Sequence, residues 1–131
     1  MKLIYTIGIL FVAAISVFGN EIQERAKAKI VSRMYQATFG AEEYCEKASP
    51  EYKKSFDDAL NHFVIQNTQL VNMIQSSPYY EKAITTMESN KNKPTGVIDN
   101  DCKGLAWMLN SLTDTHGGQK AIEEYEKILQ K

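Results

Sequence analysis

Apolar side chains recur every three or four positions through most of this chain, the spacing of one face of an α-helix. Ile22, Ala26, Ile30, Met34 and Ala37 make the first stripe, with Arg25, Lys27, Lys29 and Arg33 between them. This helix is expected to stop near Gly40, because glycine suits a C-terminal cap. A short helical turn over 41–47, carrying Tyr44 and Cys45, follows it. Ser49-Pro50-Glu51 has the chemistry of a helix start: a capping hydroxyl, a proline for the first turn and an acid at the positive end of the dipole. Behind it runs the clearest stripe of the chain, Phe56, Ala59, Leu60, Phe63, Val64, Leu70, Val71 and Ile74, interrupted by Asn67.

Ser77-Pro78 repeats the start signal and opens a helix with Tyr80, Ala83, Ile84 and Met87 inward. The polar stretch 89–96 contains Pro94 and Gly96, lacks periodicity and reads as the main loop. A fifth helix is expected from about Asp99, capped by Asp99 and Asp101, with the stripe Cys102, Leu105, Ala106, Leu109 and Leu112. Gly117-Gly118 reads as the break before a last helix presenting Ala121, Ile122, Tyr125, Ile128 and Leu129. The pattern predicts an all-α fold: a compact, antiparallel-type bundle of five to six helices.

The first residues have a different pattern. Lys2 is the one charge before Glu21, and the run from Leu3 to Phe18 is almost wholly apolar. A positive start, a short apolar run and small residues near a cut site are the marks of a secretory signal peptide. Cleavage is expected after Gly19, with a second candidate after Ser16; an uncleaved anchor is the alternative. No Cys stands at the cut site, so a lipid-modified N-terminus is not expected. Residues 1–19 are therefore read as signal peptide and 20–131 as a single helical domain, exported to the periplasm or the extracellular space. Contact with a membrane is expected only transiently, through the signal peptide.

Export changes the reading of the two cysteines. In an oxidising compartment Cys45 and Cys102 are expected to pair, stapling the bundle; two buried free thiols are the alternative. The glutamates beside Cys45, at 42, 43 and 46, also oppose a thiolate nucleophile. The formal net charge is −1, which leaves no basic excess for a nucleic-acid backbone.

Catalytic and metal chemistry find little support. His62 and His116 are the only histidines. Asp58 and His62 stand four apart and can meet on one helix face, as a surface pair or as a fragment of a site. His116 is read as the end of a helix, near the negative pole of its dipole. Asp99-Asn100-Asp101-Cys102-Lys103-Gly104 matches the opening of a calcium loop. Lys103 then stands where an oxygen ligand is needed, and Asn110 where a bidentate acid is needed. No catalytic residue, metal ligand or cofactor is assigned, and the chain is not expected to be an enzyme.

One absence stands out. Charged residues make up 24% of the chain, yet residues 59–80 contain no Asp, Glu, Lys or Arg. Their polar members are amides and hydroxyls, and the stretch ends on Tyr79-Tyr80. Low charge beside aromatics is the composition of an interface core. The alternative is that this helix is central and covered by its neighbours. Gln66, Gln69, Asn72, Tyr79 and Tyr80 are the candidate partner-binding residues. Of Tyr35, Phe39, Tyr44, Tyr52, Tyr79, Tyr80, Trp107 and Tyr125, most are expected in the core or at its rim.

The leading expectation is a non-enzymatic exported interaction protein, an inhibitor or immunity-type protein being one form. It would show a rigid helical face to another exported or envelope protein. Two alternatives stay open: a carrier of a small apolar ligand held near Trp107, Phe63 and Met87, and a periplasmic stress chaperone.

Overall fold

In the computed structural model the backbone is described for residues 2–89 and 97–131, and the side chains for 20–88 and 97–131. Seven helical segments follow one another: α1 (Lys2–Ala37), α2 (Phe39–Cys45), α3 (Pro50–Gln66), α4 (Thr68–Gln75), α5 (Tyr80–Ser89), α6 (Ile98–Asp114) and α7 (His116–Gln130). Among the described residues there is no strand. The fold is the expected all-α bundle, with one segment more because the long helix divides at Asn67. The expected loop falls, beyond Ser89 at the end of α5, outside the described residues, as do the side chains of the expected signal peptide. No helix of the described residues is long and apolar enough to cross a membrane.

One cluster of buried side chains joins the segments. Val31 and Met34 come from α1, Phe56, Leu60 and Phe63 from α3, Leu70, Val71 and Ile74 from α4, Ala83 from α5, Leu109 from α6 and Ile122 from α7. The stripes of α3, α4 and α6 face the core as the periodicity predicts, with Val64, Leu105 and Leu112 half-buried at its edge. The stripe of α1 is not buried throughout: Ile22 is 69% exposed, and full burial among the described side chains begins at Val31.

Cys45 and Cys102 are bonded, with Cα atoms 5.8 Å apart, inside the range that a bridge can span. Both are wholly buried. Two further contacts flank the bridge. The Tyr44 hydroxyl donates to Asp101 Oδ2 at 2.8 Å. Ser49 donates to Asp99 twice, from its backbone N at 2.8 Å and its hydroxyl at 2.7 Å. So Ser49 caps α3 by position only, and the expected capping carboxylates of α6 are turned toward α2 and α3 instead.

At the opposite end, His62 meets Asp114 and Asn67 meets Thr113. The starts of α3 and α6 therefore lie together, and so do their ends. These two helices run in the same direction, as two helices separated by one returning element can in an antiparallel-type bundle. The disulfide from the end of α2 and the Ser49–Asp99 hydrogen bonds both hold the start of α6 at this end.

The breaks also differ from the glycine rule. No glycine or other described residue has a positive φ. The turn after α1 is at Thr38, whose hydroxyl donates to Met34 O at 2.6 Å, and Gly40 lies within α2. A Cβ at Gly40 would come 2.8 Å from Met87 Sδ, so its place there is set by close packing. The last break is at Thr115, in extended conformation, whose hydroxyl accepts from Gly118 N at 2.9 Å and caps α7. Gly117 and Gly118 sit inside the first turn of α7. His116 opens that helix at its positive pole, opposite to the expected position.

Candidate functional site

The charge-free segment does not form one straight helix. Asn67, with φ −125° and ψ 42°, leaves helical geometry and divides it into α3 and α4. The side chain of Asn67 is what holds this bend. It is 5% exposed. Its amide Nδ2 donates to Phe63 O at 3.0 Å and to Thr113 Oγ1 at 3.3 Å, and its Oδ1 accepts from Gln119 Nε2 at 3.4 Å. Gln119 also donates to Leu112 O at 3.1 Å and Thr113 O at 2.9 Å. The end of α3 is thus tied to the α6–α7 break by a small polar cluster, and among the described residues no buried side-chain polar atom lacks a partner.

The bend fixes which side chains reach solvent. Leu70, Val71 and Ile74 turn inward, while Gln66, Gln69, Asn72 and Gln75 are exposed. Ile65, at 71% exposure, is the apolar member of this surface. The segment is therefore not a central helix covered by neighbours; one side is core and the other open. The hydroxyls of Thr68 and Ser76 turn back on their own helices, Thr68 to Ile65 O at 3.1 Å and Ser76 to Asn72 O at 2.7 Å. What remains outward is the neutral amides Gln66, Gln69, Asn72 and Gln75 and the apolar Ile65. Such a surface loses water without the cost of stripping a full charge.

Of the five candidate residues, Gln69 and Asn72 share the exposed side of α4 and Gln66 stands at its approach. The two tyrosines are engaged inside the chain and half-buried. The Tyr79 hydroxyl donates to Glu24 on α1. That bond, and secondarily Lys27, holds the Glu24 carboxyl below its ordinary value; the same bond pushes the Tyr79 phenol up. Tyr80 meets Tyr35 edge-on, with ring centres 5.4 Å apart and planes at 90°. These contacts dock α5 on α1.

Other sequence candidates are also relocated. Asp58 pairs with Lys54 at 2.6 Å, leaving His62 to Asp114 Oδ1 at 2.7 Å across α3 and α6. Among the described residues, no group of three His, Cys, Asp or Glu side chains is placed to hold a metal ion. Residues 99–104 lie within the first two turns of α6 rather than in a loop. Phe63 is sealed in the core, Met87 lies against Gly40, and Trp107 is 73% exposed, so these three have quite different surroundings. Trp107 is neither core nor rim. An open surface hollow between Glu46, Pro50, Lys53 and Asp57 is lined by mixed charges.

Sequence reasoning passed over Ile65 and misplaced Trp107. The available signal was register: each falls beside its helix's apolar stripe rather than within it. Comparison with protein-family models, curated proteins and solved structures finds no match to this chain.

Proposed function

We propose that this chain is an exported, non-enzymatic interaction protein whose recognition surface is the exposed side of α4 with the end of α3. The observation that carries this reading is the set Ile65, Gln66, Gln69 and Asn72, all exposed in a stretch without a charged residue. A solvated helix face in a chain with 24% charged residues would ordinarily carry Lys and Glu. Depletion of charge is instead what distinguishes the centre of an interface from the remaining surface. The bend at Asn67 and the staple at Cys45–Cys102 support the same reading, because a pre-ordered surface loses little freedom on binding. The partner is another protein of the periplasm or extracellular space, and inhibition or immunity is the form of action that suits a rigid bundle.

The test places a photoreactive residue at Gln69 in the exported chain, with Glu51 at the far end of α3 as control. The expected result is a discrete adduct with one protein from Gln69 and none from Glu51. The triple variant Gln66→Glu, Gln69→Glu, Asn72→Asp should abolish binding of that protein while keeping the thermal midpoint of the fold. No adduct from Gln69, or binding unchanged in the triple variant, overturns the proposal.

A further inference from the structure

A second surface, on α1, differs from the candidate site by its charge. Beyond residue 19, α1 is the one helix in which Lys and Arg outnumber Asp and Glu. Ile22, Arg25, Lys29 and Arg33 follow at three or four residues, the spacing of one helix face, and all are exposed. Val31 and Met34, on the opposite side, are buried in the core. The stripe therefore points away from the bundle. Among the described residues none of its three cations pairs with a carboxylate. Glu24 is engaged by Tyr79 and Lys27, and no ion pair joins Glu21 to Arg25. Arg25 and Lys29, then Lys29 and Arg33, are like-charge neighbours one turn apart, an arrangement that weakens a helix. No described carboxylate offsets that repulsion from within the molecule.

We infer that this stripe docks the exported chain on an anionic phospholipid surface, a contact beyond the transient one of the signal peptide. Charge sets the partner's sign, since guanidinium and ammonium groups take phosphate oxygens. Position points to lipid. The helix α1 is continuous from Lys2 to Ala37, so the apolar run ending at Phe18 and the cationic stripe share one axis. Arg25 stands seven residues past Phe18, about 10 Å along a helix. When the apolar run enters a bilayer, that length carries the start of the stripe to the headgroup layer. After cleavage behind Gly19, the helix is free to lie along the surface with its cations at the phosphates. Ile22, 69% exposed on the same face, then enters the boundary between headgroups and acyl chains. A soluble polyanion has no such use for an isoleucine.

Sedimentation with vesicles of equal parts phosphatidylcholine and phosphatidylglycerol should carry down the oxidised exported chain at low salt. Vesicles of phosphatidylcholine alone should not, and binding should fade as added salt screens the charges. Arg25→Gln, Lys29→Gln and Arg33→Gln together should weaken partition about a hundredfold, at about fivefold for each cation near an anionic surface. Those side chains have no ion pair in the fold, so the thermal midpoint should hold or rise. The charge-matched set Lys82→Gln, Lys103→Gln and Lys120→Gln removes exposed lysines of other helices and should leave the chain bound. Ile22→Ser should weaken partition several-fold. Absence of binding to the mixed vesicles overturns the inference. So does an equal loss in the charge-matched set, or vesicle binding that Ile22→Ser leaves intact while heparin captures the chain as well. Neither outcome bears on the α4 surface, which the crosslinking experiment tests separately.

Discussion

Gln119 of α7 donates to the carbonyl oxygen of the Asn67 side chain at 3.4 Å, and through this contact the break between α6 and α7 is matched to the break between α3 and α4. Because α3 and α6 run side by side in one direction, their two breaks lie at the same end of the bundle. A buried amide at one break then serves both.

Asn67→Ala removes that shared contact. Thr113 keeps its bond to Leu109 O at 2.9 Å and Gln119 keeps two carbonyl partners, so no buried group is left wholly unpaired. The expected cost is therefore about 1–2 kcal/mol, the scale of lost hydrogen bonds rather than of an orphaned polar group. A urea titration would show it as a lower midpoint.

Two glycines on neighbouring helices should answer oppositely to alanine. A Cβ at Gly118 would lie 2.5 Å from Leu112 Cα and 2.6 Å from Leu112 O, against backbone that has no free rotamer to turn away. Gly118→Ala is expected to destabilise by about 1–3 kcal/mol, an overpacking cost. Gly104→Ala meets nothing, and the helical preference of alanine should stabilise the fold by up to about 1 kcal/mol. Thermal unfolding of the two variants at low concentration checks the difference in sign.

The Cys45–Cys102 bridge closes a separation of 57 residues. On the chain-entropy model a loop of that length contributes about 4 kcal/mol by restricting the unfolded chain. Cys45→Ala with Cys102→Ala should lower stability by about 2–4 kcal/mol, read from denaturant curves of the variant against the oxidised parent. Adding reductant should lower the parent's curve and leave the variant's unchanged.

Asp99 links stability to pH at the stapled end. Its carboxyl accepts from the Ser49 backbone N–H first and from the Ser49 hydroxyl second, and both hold it below the ordinary value of 3.8. A carboxylate lowered in the folded state contributes stability that is fully present above its unfolded value. That contribution is lost as pH falls through the lower, folded one. Asp99→Asn should therefore be less stable than the parent near neutral pH, with the gap closing as pH falls below 3.8. Carboxyl shifts followed by NMR should place the Asp99 midpoint under that value; a midpoint at or above it would contradict the Ser49 contact.

Much of the fold was legible along the chain because helices announce themselves locally. Phe56, Leu60 and Phe63 share a face whatever lies opposite, and Pro50 opens a helix by its own geometry. The candidate site was half legible. The missing charge across 59–80 is a property of composition, so it could be read directly. Which of those residues face solvent could not, because Asn67 turns the chain only when Thr113 and Gln119 are there to meet its amide. Tyr79 and Tyr80 show the same dependence, since Glu24 and Tyr35 reach them from α1.

The amino-acid sequence by itself determined the helical class, the positions of most segments, the pairing of the only two cysteines and the existence of a charge-free stretch. These follow from side-chain periodicity, from the chemistry of Ser-Pro starts and from counting. The tertiary structure alone decided that α3 and α6 run in the same direction, that the turns come at Thr38, Asn67 and Thr115 rather than at glycines, and that Trp107 stands in solvent. Each of these depends on contacts between residues far apart in the chain, and helical periodicity, which repeats over a few residues, carries no information about them.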